Sequence, residues 1–182
     1  MTGKHHLIAG IGAGICMTSS LIYFKDTTTV PAVCTGIGLV VGSLFPDIDS
    51  STSKLGKRVK PVSKIISKLF GHRGFFHSLI FIGLLFLLLK HIFDTKNISQ
   101  YSVIYIGFCC GCLLHLVCDI MTKGGVPLLY PFSKFKFHLT WMKSGSKYEP
   151  IALGFVILCI VAVTILCITN HISISSFYKM NL

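Results

Sequence analysis

The chain has 182 residues, 52% of them apolar and only 13% charged, with a mean hydropathy of +0.74. A soluble domain of this size rarely carries that balance, so the composition excludes an ordinary water-surrounded fold and points to a bilayer. The net charge of +11 raises nucleic-acid binding, but the cations fall where a membrane protein needs them.

Five apolar runs approach the roughly 20 residues that cross a hydrocarbon core. The first, 7–24, follows Lys4 as a signal peptide would. No small-x-small cleavage motif follows the run before Asp26, so an uncleaved helix is expected. Its "GIGAG" follows no strand and lacks the third glycine of a nucleotide-binding turn, so Gly10 and Gly14 are read as a packing face. The second run, 30–46, carries Gly38 and Gly42 at the same spacing and ends in "FPDIDS".

Residues 54–70, "KLGKRVKPVSKIISKLF", then set Leu55, Val59, Val62, Ile66 and Leu69 at helical spacing, with Lys57, Lys60, Lys64 and Lys68 on another face. Such a basic amphipathic helix belongs in the headgroup plane and attracts anionic lipids. Pro61 suits the first turn of a helix running to about Phe70 and would kink a longer one.

The third run, 75–93, is followed by "DTKNISQ", whose Asn97-Ile98-Ser99 matches a glycosylation sequon and reads equally well as a turn. The fourth run, 101–121, contains Gly107 and Gly111. With the first two spans it predicts a tight core built on small residues. Beyond it, "KFKFHLTW" alternates charged and apolar residues as a short strand or an extended interfacial anchor would. The last run is 151–169.

Five spans and a cytoplasmic N-terminus put thirteen of the seventeen cations inside, leaving only Lys25, Lys90, Lys96 and Lys179 outside. That asymmetry is the positive-inside rule, so a membrane accounts for the charge and nucleic acid does not. The expected fold is therefore all-α: one polytopic bundle of about five membrane helices plus a basic interfacial helix. All eight cysteines fall in apolar runs, where a thiol acts as a small hydrophobe. Cys109 and Cys112 form a Cys-x-x-Cys without a complementary pair, which favours packing over redox or metal chemistry.

The rare ionisable residues share one end of the spans. His5 and His6 start the first, while Asp47 and Asp49 end the second. His72, Arg73 and His77 lead into the third, and His115 and Asp119, four residues apart and so on one helix face, close the fourth. Groups of this kind are costly in a membrane and usually functional. His6, Asp47, Asp49, His72, His77, His115 and Asp119 are candidate ligands for a divalent metal. The mixture of imidazole and carboxylate favours zinc, with manganese or iron as alternatives, and seven candidates are enough for one or two ions. Arg73 is read as a phosphate clamp or a positive-inside flank. His5, His91, His138 and His171 are read as interfacial or hydrogen-bonded residues.

"MTGKHHL", "FPDIDS", "LGKRVKPVSKIISKLFGHRGFFHSL" and "GCLLHLVCDIMTKGGVPLLYPF" together resemble the YdjM-type family of bacterial inner-membrane proteins, described as metal-dependent hydrolases. The resemblance covers most of residues 1–132 and implies the same site positions, in the bacterial inner membrane with the site at its cytoplasmic face. Two departures stand out. Ser50 occupies a position where relatives often carry His, which bears on a second ion. Phe76 replaces a Thr expected to orient His77. The order of ligands is also similar to that of the zinc-dependent phospholipase C and P1-nuclease group, an analogy in pattern only.

The expected activity is metal-assisted hydrolysis of a phosphoester on a membrane lipid or lipid-linked substrate. Asp49 would serve as general base. Glu149 would serve as general acid or simply as a polar residue at a helix start, and Lys123 with Gly124 to Pro127 would shape the substrate mouth. The rival reading is a non-catalytic metal-binding membrane protein: a scaffold, regulator or transporter. A metalloprotease would show His-Glu-x-x-His, which the sequence lacks.

Overall fold

Each apolar run becomes a helix, because in hydrocarbon every backbone N–H and C=O must be satisfied within its own segment. The computed structural model describes residues 1–24, 28–71, 73–96 and 102–169. In chain order, α1 is Gly3–Tyr23 and α2 is Thr29–Gly42, followed by a 3₁₀ turn at Pro46–Asp49. Two short helices come next, α3 (Lys54–Arg58) and α4 (Lys60–Phe70), and then a second 3₁₀ turn at Phe75–His77. The remainder is α5 (Leu79–Thr95), α6 (Ser102–Ile120) and α7 (Glu149–Thr169).

Among the described residues, four segments are long and apolar enough to cross a membrane: Gly3–Tyr23, Thr29–Asp49, Ser102–Ile120 and Glu149–Thr169. At 17 residues, α5 reaches about 26 Å and sits at the short end of the spanning range. The third apolar run begins as a helix later than its hydropathy suggests. Ser78 caps α5, its Oγ accepting the Phe81 N–H at 3.1 Å, and the residues before it form the 3₁₀ turn that carries His77.

Small residues set the packing. An added Cβ on Gly42, Gly107 or Gly111 would fall within 2.0–2.3 Å of a backbone carbonyl oxygen of the facing helix, so α2 and α6 meet backbone to backbone. α1 joins this pair at Gly14, opposite Gly36, as the small-xxx-small spacing predicts. Side-chain bonds reinforce the contacts of α1 with α2 and its end: Thr18 Oγ1 to the Ala32 carbonyl and Ser43 Oγ to the His6 carbonyl, both at 3.2 Å. Each contributes about 0.6 kcal/mol in such a setting. α7 packs mainly on α1 and leaves Leu158, Val163, Ile165 and Leu166 exposed, as a lipid-facing helix must.

The basic segment 54–70 forms two helices rather than one, broken where Pro61 enters the first turn of α4. On α4, Val62, Ile65 and Leu69 are exposed along one face, Lys64 and Lys68 along another, and Ser63 is buried against the bundle. Between α6 and α7 the chain alternates turns with short irregular stretches. Among the described residues it makes no strand, only an isolated bridge between Val126 and Phe137, and it exposes Phe132, Leu139 and Trp141. All eight cysteines are free thiols. His72, His171 and the Asn97-Ile98-Ser99 sequon lie outside the described residues.

Candidate metal centre

The helix ends that meet at one pole of the bundle bring the rare ionisable groups together. His6 comes from the first turns of α1, Asp47 and Asp49 from the 3₁₀ turn after α2, and His77 from the turn before α5. His115 and Asp119 come from the last two turns of α6. His6, Asp49, His77, His115 and Asp119 are all buried, none exposing more than 1%, while Asp47 keeps 17% of its side chain accessible.

Two groups of three, His6, His115 and Asp119, and Asp47, His77 and His115, hold ligand atoms within 4.8 Å of one another. Asp119 lies at the middle. Its Oδ2 is 3.7 Å from both His77 Nε2 and His115 Nε2, and those two nitrogens are 3.2 Å apart. A tetrahedral site with bonds of 2.0–2.2 Å has ligands about 3.3–3.6 Å apart, so this triangle has the dimensions of such a site. Asp47 Oδ1 lies 3.8 Å from His115 Nε2. The His6 ring stacks on His115 with centroids 3.8 Å apart, and His6 Nδ1 is buried without a hydrogen-bond partner. A buried ring nitrogen in that condition is costly unless something else takes its lone pair.

Neighbouring groups fix how the imidazoles face. His115 Nδ1 donates to the Ser43 carbonyl at 2.7 Å, which turns Nε2 toward the cluster. That carbonyl is available because α2 has just ended and no later N–H of the helix claims it. His77 Nδ1 lies 3.0 Å from Asp49 Oδ2, so Nε2 again points inward. Imidazoles held from behind by a carboxylate or a carbonyl are the usual arrangement at metal sites. The sequence put Asp49 among the ligands. In the structure its carboxylate stands behind His77 and also accepts the Arg73 N–H at 2.9 Å, and it belongs to neither three-ligand group. His77 is thus oriented without the Thr expected at position 76, where Phe76 packs on Phe81 instead. Ser50 Oγ pairs with Thr52 Oγ1 at 3.0 Å.

Arg73 adopts φ 58°, a left-handed conformation that is rare outside glycine and that clusters at functional sites. It sends Nη2 to Asp119 Oδ1 at 3.1 Å and Nη1 to the Gly125 carbonyl at 3.3 Å. The guanidinium lies flush on Gly124, where an added Cβ would sit 2.0 Å from Nη1. The Gly124–Gly125 turn therefore forms the floor under Arg73. Asp119 Oδ1 also receives the Met1 nitrogen and lies 3.3 Å from His6 Nε2.

Glu149 lies beside the cluster and outside both ligand groups. It is fully buried, and its carboxylate accepts the Thr2 N–H and, at 2.7 Å, the Gly145 N–H, with His5 Nδ1 at 3.3 Å. It fastens the start of α1 to the start of α7. The Ser43 carbonyl, the glycine floor and this fastening contact escaped the sequence reading. Backbone partners leave no side-chain signature, and only the adjacent "KGG" after Asp119 hinted at the floor.

Fold and site together define an integral membrane helix bundle whose buried His and Asp groups could hold a metal ion. The chain belongs to the YdjM inner membrane protein family, whose model matches residues 1–174. It is 36% identical over 155 residues to the Bacillus subtilis (strain 168) protein YvsG, a match covering 85% of this chain and 88% of that one. It is 33% identical over 159 residues to Inner membrane protein YdjM of Escherichia coli (strain K12), covering 82% of this chain and 76% of the relative. The Shigella flexneri protein of the same name matches equally. No solved structure matches the chain.

Proposed function

We propose that this protein is a membrane-embedded, metal-dependent hydrolase acting on a phosphoester of a lipid or lipid-linked substrate at the cytoplasmic leaflet. The observation that carries the proposal is the convergence of His6, Asp47, His77, His115 and Asp119 from separate helices into one buried cluster of ligand dimensions. The donor set suits zinc best, with manganese or iron also compatible. His115 offers only Nε2, so one ion per chain is the simplest loading, and a second ion would need a bridging carboxylate. When bound, the ion would supply Lewis-acid polarisation of the phosphoryl group and acidify water toward a pKa of about 7.

The chain's own residues do the rest. His77 and His115 hold their Nε2 atoms inward because Asp49 and the Ser43 carbonyl stand behind them. Asp47, the most accessible carboxylate of the cluster, takes the proton from water, a role better suited to it than to the fully buried Asp49. Arg73, 14% exposed and carrying unshared N–H capacity beyond Asp119 and Gly125, grips a phosphate oxygen. Glu149 positions α1, and with it His6. The cytoplasmic orientation rests on the excess of cations at this pole.

The decisive measurement is metal content and phosphodiester hydrolysis of the detergent-purified chain, for wild type and Asp119→Ala. The expected result is a near-stoichiometric metal and a measurable turnover, both lost in the variant. An ion retained without turnover on phosphodiester lipids would instead favour a structural, non-catalytic metal. Absence of metal in both proteins would overturn the proposal.

A further inference from the structure

Apart from the metal cluster, the bundle carries an apolar groove of about 490 Å³ between α1, α6 and α7. Cys16 and Met17 line one wall, Leu114 and Val117 the second, and Cys159 and Val163 the third. None of the cluster's ligands faces it. Its α7 wall runs from Phe155 to Thr164, about 14 Å of helix and roughly the depth of one leaflet's hydrocarbon. An extended hydrocarbon chain lying along the groove would meet apolar side chains from three helices over this length.

The polar end of the groove selects among lipids. Its rim is Met121 and Leu139, held together where Leu139 donates its N–H to the Ile120 carbonyl at 2.8 Å. Two residues beyond each rim residue stand Lys123 and Trp141, with Lys123 Nζ 5.7 Å from the indole centroid and His138 edge-on to the same ring at 5.0 Å. Both Lys123 and Trp141 are exposed. Residues 122–148 contain five lysines and no acid. A lipid whose chain fills the groove thus has its phosphate beside an unopposed ammonium that an aromatic ring holds in place.

We propose that this groove is a binding site for an anionic phospholipid, one acyl chain lying between α1, α6 and α7 and the phosphate resting on Lys123. The groove shares no lining residue with the metal cluster.

Native mass spectrometry of the full-length, detergent-purified protein with equal phosphatidylglycerol and phosphatidylcholine tests the proposal. Wild type should retain one phosphatidylglycerol per chain with about a fivefold preference, the worth of roughly 1 kcal/mol per lysine at a membrane surface. Lys123→Gln should erase the preference, and Cys16→Phe, which puts a ring into the groove, should lose lipid of either kind. Trp141 is the only tryptophan, so its emission should shift on adding phosphatidylglycerol to wild type and not to Lys123→Gln. This second readout decides the matter if Cys16→Phe does not fold. Equal retention of the two lipids by wild type, or an unaltered preference in Lys123→Gln, would overturn the proposal.

Discussion

Asp49 and Asp119 are equally hidden from solvent, yet their oxygens face different partners, and the difference is measurable. Asp119 turns Oδ2 toward two imidazoles, so its removal deletes a ligand. Asp49 stands behind His77, so Asp49→Asn should keep the metal and weaken its affinity about 10–100-fold, which competition with a chelator would measure. A second contrast isolates Arg73. Gly124→Ala displaces the far end of a flexible side chain and no backbone, so its melting temperature should match wild type. Its KM for a phosphodiester should rise about tenfold, the worth of one charge-assisted bond of roughly 1.5 kcal/mol. His115 and Asp119 were legible in the sequence because four residues place two groups on one helical face. The separate duties of Asp47 and Asp49 were not. With three residues per 3₁₀ turn, positions two apart point about 120° away from each other, and only the fold reveals that the second of the pair turns inward.

At the level of elements, hydropathy located the four helices long and apolar enough to cross a membrane, and small-residue spacing located contacts among α1, α2 and α6. Gly42→Val would press a side chain onto the Phe108 carbonyl, with backbone on both sides and nothing able to yield. We expect a loss of about 3 kcal/mol or more, read as thermal unfolding in detergent, whereas Gly83→Val, at a position open to added atoms, should leave stability nearly unchanged. The two faces of α4 predict opposite environments. In a Trp141→Phe background, Ile65→Trp should emit at short wavelength and be quenched by brominated lipid, and Lys64→Trp should emit as in water. Pro61 announced the break between α3 and α4. The delayed start of α5 stayed hidden because Phe75 and Phe76 extend the apolar run past the residue that caps the helix; they pack with Phe81 as an aromatic cluster outside it.

For the molecule as a whole, α1 and α7 both begin beside the cluster, so their far ends share the opposite pole of the bundle. A protease-cleavable tag placed within residues 132–136 should be cut only from the cytoplasm, and one placed after residue 169 only from the opposite side. The fastening of residue 2 to residue 149 sets a further condition. Residues so far apart in the chain cannot meet until nearly all of it has left the ribosome. Until then the turn that carries His6 lacks its tie to the start of α7, although His77, His115 and Asp119 have already been made. Biogenesis of the centre is therefore a closing step, and a nascent chain halted before residue 149 should be a substrate for membrane quality control rather than a partly working protein.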